Sequence, residues 1–260
     1  MNMKRIIPAI LLLLPLASCH KQVEPEPQKS IAFVSIHPFE TKAQIGTNAL
    51  PAWSEGDKIA IVGDDVENPS EFTLRSGAGY SVASFEGIKP EGESYIVCYP
   101  SDARCDGESF RASLSTIVSH SIPNQTLGIL PMWGHTRDLS SVTLSSPCGI
   151  LKLELKGDTC LKSITLDAGK PVSGEFMYNI TADLFAMIGG ANIITMDASA
   201  TELIPTRAVP FYFILPPGEY DELVLNITDS TDDVTYITVD DTVVIDHGAI
   251  STVSYDLSAM

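Results

Sequence analysis

The 260-residue chain is short of positive charge, with 16 Lys and Arg against 33 Asp and Glu and a net charge of −17. Phosphate backbones are bound through clustered basic side chains, so this deficit argues against nucleic acid as a partner. Patterns that carry chemistry are also missing. No CxxC or HxxxH spacing occurs to hold zinc, no GxSxG elbow presents a nucleophile, and no glycine-rich loop is built to cradle phosphate. His20, His37, His120, His135 and His247 are scattered, and each reads as a loop or surface residue. The paired acids Asp64-Asp65, Asp232-Asp233 and Asp240-Asp241 lack an Asp-x-Asp-x-Asp-Gly loop and read as acidic turn tips, not calcium seats. Neither a metal nor another cofactor is expected, nor any catalytic residue. Aromatics make up only 7% of the chain, with two tryptophans, Trp53 and Trp133. Both are expected to pack in a core or at a sheet edge rather than to stack on a ligand.

Long apolar runs are absent too. The longest, Ile6–Leu16, falls well short of the roughly 20 residues a membrane-spanning helix requires. It follows Lys4 and Arg5 and leads into small residues, which is the layout of a secretory signal peptide. Leu16-Ala17-Ser18-Cys19 resembles the bacterial lipobox, in which the cysteine thiol takes a diacylglyceryl group and becomes the new N-terminus. Residues 1–18 are therefore read as a lipoprotein signal peptide and Cys19 as the lipidation site. Two or three acyl chains of the palmitate type would hold the protein to the outer membrane far better than one. Residues 19–29, with the run "VEPEP", are read as an extended, self-repelling tether. Loss of Lys4 and Arg5 with the signal takes the net charge from −17 to −19.

Export places the other cysteines, Cys98, Cys105, Cys148 and Cys160, in an oxidising compartment. Three disulfide pairings are open to four cysteines. Cys98–Cys105 and Cys148–Cys160 join the nearest neighbours, although Cys98 in "YIVCYP" equally suits a buried apolar position.

The 44% of apolar residues is enough for a sizeable core. Short segments rich in β-branched and aromatic residues recur between turn signals, among them "KIAIVG", "SYIVCYP", "GILKLELKG" and "PFYFILPP". Leu151, Leu153 and Leu155 alternate with Lys152, Glu154 and Lys156, the period of a strand with one buried face. "SGAGY" between two such segments reads as a hairpin turn. "ITADLFAMIGG" is the one apolar stretch with helical potential, and its Gly-Gly end argues against a long helix. The fold class is thus all-β. A Pro- and Gly-punctuated stretch over 120–138 divides it into an N-terminal β-sandwich at 30–138 and a C-terminal one at 139–260.

Several phrases then resemble one family in order along the whole mature chain. "TKAQIGTNALPAWSEGDKIAIVG", "FTLRSGAGYSVASFEGIKPEGESYIVCYPSD", "PMWG", "CGILKLELKG", "LKSITLDAGKPVSGEF" and "FYFILPPGEYDELVLNITD" are similar to the fimbrillin, or major-fimbrial-subunit-like (Mfa-like), lipoproteins of Gram-negative anaerobes. The resemblance implies two transthyretin-like antiparallel β-sandwich domains in tandem, at the cell surface or in a fimbrium. It implies a pilus subunit, anchor or accessory protein without enzymatic activity, which contributes to cell adhesion and joins other pilin-like subunits by donor-strand exchange. The strand to be displaced would be "SIAFVSIH", Ser30–His37, with Ile31, Phe33 and Ile36 as its plugs, and their uneven spacing suggests a bulge or bend. Stalk pilins of this kind are cut after an arginine in the loop that follows. This chain offers Lys42 there, and its next arginine is Arg75. Lys42 is the candidate processing site, and its identity favours an anchor or accessory role. The competing reading is a surface glycan- or ligand-binding lipoprotein on the same scaffold.

Overall fold

The computed structural model describes residues 29–37, 40–41, 51–64, 68–120 and 128–259. Cys19, the signal peptide, Lys42 and Asp65 lie outside the described residues. Among those described, the chain is all-β, with one short 3-10 turn at Leu257–Ala259 and no α-helix.

In chain order the strands begin with β1 (Lys29–Ile36), β2 (Glu40–Thr41), β3 (Lys58–Gly63), β4 (Ser70–Ser76), β5 (Val82–Ile88) and β6 (Tyr95–Tyr99). Next come β7 (Arg104–Cys105), β8 (Ser109–Leu114), β9 (Ile117–Ser119), β10 (Met132–Thr136) and β11 (Val142–Leu144). There follow β12 (Gly149–Lys156), β13 (Cys160–Asp167), β14 (Gly174–Asn179), β15 (Leu184–Met187), β16 (Ile193–Glu202) and β17 (Val209–Leu215). The last are β18 (Gly218–Tyr220), β19 (Val224–Asp229), β20 (Val234–Thr238), β21 (Val243–Ile245) and β22 (Ala249–Asp256).

Seven strands form one sheet in the order β10-β6-β3-β4-β5-β1-β11. Its two edges meet, because the Trp133 and Ser145 backbones exchange hydrogen bonds of 3.0 and 2.9 Å. The sheet is thereby rolled closed, which removes its free edges. Gly134 makes the seam fit: a Cβ there would lie 2.3 Å from the Thr143 carbonyl oxygen. Residues paired across the ladders share a face, so the lining follows from register. Ala32, Val34, Ile59, Ile61, Phe72, Phe85, Val97, Met132, Val142 and Leu144 fill the roll, and all are buried. Trp53 completes this core, edge-on to Phe85 at 4.9 Å and to Tyr99 at 5.2 Å.

A second sheet, β15-β14-β8-β7, covers the outside of the β10-β6-β3 wall. Phe110 and Phe176 are fully buried beneath it, and Phe176 stacks on Phe185 at 4.6 Å. This sheet draws strands from both halves of the sequence, since β8 pairs along its length with β14.

A separate core lies between the sheets β17-β12-β22-β2 and β20-β19-β13-β16-β9. The alternation in β12 is realised as two environments. Leu151, Leu153 and Leu155 face this second core, whereas Ile150 on the other face joins the first. β17 behaves alike, with Phe211, Phe213 and Leu215 on one side and Tyr212 and Ile214 on the other. Early strands reach into the later sheets as well: β2 pairs parallel with β22, and β9 parallel with β16.

"ITADLFAMIGG" is a turn and a strand. β14 and β15 form a hairpin, and Asp183, Gly189 and Gly190 adopt positive φ at its turns. The "SGAGY" segment is the β4–β5 turn, with Gly77 and Gly79 at φ of 102° and 83°.

Candidate assembly site: the first strand and its slot

β1 lies inside the rolled sheet, between an antiparallel neighbour and a parallel one. On one side Lys29–Ser35 pair with Ile88–Val82 of β5; on the other, Val34, Ser35 and Ile36 pair with Val142, Thr143 and Leu144 of β11. The ladder is therefore long on the β5 side and short on the β11 side. Further bonds tie its ends: Phe33 N–H donates to the Leu139 carbonyl at 2.8 Å, Ile36 N–H to Ser81 at 2.9 Å and His37 N–H to Leu144 at 2.8 Å. The Ser35 hydroxyl reaches the Val142 carbonyl at 3.1 Å. Lys29 and Glu86 form an exposed ion pair at 3.6 Å across the start of the strand.

The side chains that fill the slot differ from those expected. Ile31 and Phe33 are 39% and 51% exposed and stand on the outer face, while Ala32, Val34 and Ile36 point into the roll. The register with β5 runs without a shift from Lys29 to Ser35, so the expected bulge is absent there. The reason is strict period-two geometry, which sends Ile36 to the face opposite Ile31 and Phe33. Sequence reasoning missed Ala32 and Val34 because both faces of "IAFV" are apolar. The even spacing of Ala32, Val34 and Ile36 was the available signal. Burial of Val34 and Ile36 contributes about 1.5–3 kcal/mol each to holding the strand, and Ala32 leaves room for the Phe85 ring opposite it.

The four cysteines are free thiols. Cys98, on the outer face of β6, lies close enough to Cys105 of β7 for each thiol to shift the other's pKa. Cys148 and Cys160 stand beyond opposite ends of β12, whose eight residues span roughly 26 Å at roughly 3.3 Å each. A disulfide requires Cα atoms within about 7 Å, so of the open pairings Cys148–Cys160 does not fit the extended strand between them.

One exposed Tyr–Asp–His group forms at the β14–β15 turn, where the Tyr178 hydroxyl donates to Asp183 at 2.8 Å and His247 lies 3.8 Å from the same carboxylate oxygen. Among the described residues, no group of three or more His, Cys, Asp or Glu side chains is placed to hold a metal ion. Asp64 organises a turn, accepting from the Glu93 and Ser94 N–H groups at 2.9 and 3.3 Å, and these bonds hold its carboxyl below the usual range. Asp229 does the same for the β19–β20 turn, with Thr231 and Asp233 as donors. His120 packs on Phe211 at 4.6 Å, and burial pulls its pKa down. Trp53 is 2% exposed, which removes it as a sugar platform. Trp133 is half-buried beside Tyr178 at 6.5 Å. A cavity of about 500 Å³ opens where the two halves meet, lined by Leu114, Ile117, Ile129, Ile194 and Ile214 with Asp102 as its one ionisable side chain. Ser113, Ser115 and Ser119 also line it, and a lone carboxylate beside them offers no acid–base pair.

No family model matches the sequence, and no curated protein matches it. The fold does have counterparts among solved structures. A putative cell adhesion protein from Bacteroides ovatus superposes with a TM-score of 0.52 at 14% identity, covering 87% of this chain and 93% of its own. A putative cell adhesion protein from Bacteroides uniformis gives a TM-score of 0.52 at 13% identity, covering 90% of this chain and 95% of its own.

Proposed function

We propose that this chain is a non-enzymatic surface protein of the fimbrillin type, a pilus subunit or pilus anchor that contributes to cell adhesion. In this reading the mature protein starts at a lipidated Cys19 and is moored to the outer membrane. Its two halves are transthyretin-like units in tandem, and neighbouring subunits join by exchanging the strand in the β1 slot. The cell-adhesion naming of the two Bacteroides counterparts and the run of family-like phrases support it.

The observation that carries the reading is the placement of β1 as an interior strand with unequal ladders. Its departure would expose unpaired backbone along β5 and β11 above a trough floored by Ala83, Phe85, Val142 and Leu144. An incoming strand would satisfy those donors and acceptors and set alternate side chains where Ala32, Val34 and Ile36 now sit, which is β-augmentation. Lys42 follows β1 within a few residues, so a cut there would sever the strand from the remainder.

Native trypsin treatment tests it. Cleavage after Lys42 with loss of the fragment that carries β1 should convert the protein into oligomers, and an excess of a Ser30–His37 peptide should suppress them. A cleaved protein that has lost β1 and stays monomeric at high concentration would overturn the proposal.

A further inference from the structure

We propose that Cys98 and Cys105 are a disulfide-forming pair that fastens β7 to the wall of the rolled sheet, with Cys105 as the sulfur that reacts first. The inference is independent of strand exchange, because neither residue touches β1 or its slot.

The pairing follows from the layers. In β6 the register alternates Tyr95, Val97 and Tyr99 into the roll with Ile96 and Cys98 onto its outer face. That face is the one the β15-β14-β8-β7 sheet covers. Cys105 is paired with Phe110, whose ring is fully buried against the same wall, so its sulfur points toward β6. Both side chains pack into the same core there, and the two thiols interact. Cys148 is buried at the start of β12 beside Ser146, whose hydroxyl accepts its N–H at 3.1 Å, and Cys160 opens β13 on the far side of that strand.

The two sulfurs are unequal in a way that orders the chemistry. Cys98 is 1% exposed, and its thiol is pushed up by its interaction with Cys105 and by burial. Cys105 is partly exposed on an edge strand, where no further strand among the described residues covers it. Interaction with Cys98 and with the Gly107 backbone draws its thiol below the ordinary value. The Cys105 thiolate, having lost its proton to solvent, attacks one sulfur of a donor disulfide such as oxidised glutathione. The donor's other sulfur leaves as a thiolate and takes up a proton. Cys98 then attacks the Cys105 sulfur of the mixed disulfide, and its proton passes to the second departing thiolate. Two chain thiols are oxidised, and one donor disulfide is reduced to two thiols.

The bridge closes a loop of roughly eight residues, which restricts the unfolded chain. Pro100, Asp102 and Ala103 within that loop line the cavity between the halves, so the bond also stiffens one wall of it.

The full chain, treated with oxidised glutathione and alkylated in denaturant without reductant, supplies the test. A peptide map should show Cys98 cross-linked to Cys105, with Cys148 and Cys160 alkylated. Reduction should lower the Tm by roughly 5 °C. Both Cys98→Ser and Cys105→Ser should abolish that shift, and Cys160→Ser should retain it. In the folded, reduced protein Cys105 should alkylate at least about tenfold faster than Cys98. Full alkylation of Cys98 and Cys105 in the oxidised, unfolded chain would overturn the proposal, as would a map joining either of them to Cys148 or Cys160.

Discussion

Val34 and Ala83 face each other across the β1–β5 ladder, both turned into the roll, while the adjacent pair Phe33 and Ser84 is turned to the outer face. One strand thus carries two apolar faces with different duties, one packed and one presented. Substitutions one residue apart should separate them.

Ile36→Ala removes a side chain that is 6% exposed and should cost about 2–5 kcal/mol of unfolding free energy. Phe33→Ser, on the outer face, should cost less than about 1 kcal/mol. Urea unfolding of the two variants checks this, and equal costs would contradict the assigned register.

Gly134→Ala should weaken the seam that closes the first sheet. The added methyl would press on the Thr143 carbonyl, so β10 and β11 must part. A loss of about 1–3 kcal/mol is expected, typical of overpacking. Amide hydrogen exchange should report faster opening at Trp133 and Ser145, whose N–H groups form the bridge. Unchanged protection there would mean that the seam yields without opening.

His120 should make the fold sensitive to mild acid. Its folded pKa lies below the ordinary 6.5 because burial disfavours the imidazolium, and its Nε2 is buried without a hydrogen-bond partner. The unfolded chain then binds the proton more readily, so stability is complete above pH 6.5 and falls as the pH drops toward the folded pKa. His120→Phe, beside Phe211, should flatten that slope, as measured by urea midpoints across the window. At lower pH a second loss should follow. Asp64, Asp106, Asp138 and Asp229 are held below the ordinary 3.8 by donated hydrogen bonds, and their contribution disappears as the pH falls through the folded values.

Trp53 should emit as a buried indole. In a Trp133→Phe variant the remaining fluorescence should be blue-shifted, poorly quenched by iodide and unresponsive to added oligosaccharides. Its ring is wedged edge-on against Phe85 and Tyr99. A saccharide-dependent change in that variant would revive the sugar-platform reading.

The sequence by itself determined the strand content, because period-two alternation such as Leu151, Leu153 and Leu155 is a local property that survives in any sheet. It likewise determined the hairpin at Gly77–Tyr80, where positive φ selects glycine. It determined neither which side of "IAFV" faces inward nor what fills the slot, since a strand apolar on both faces carries no phase. That phase is set by partners far along the chain, Ala83 and Phe85 on one side and Val142 and Leu144 on the other. The closure at Trp133 and Ser145, the pairing of β8 with β14 and the choice of Cys105 for Cys98 among the pairings the spacing left open were decided only by the tertiary structure. Each joins backbone or side chains whose contact depends on how whole sheets curve and stack, and no local pattern of residues encodes that.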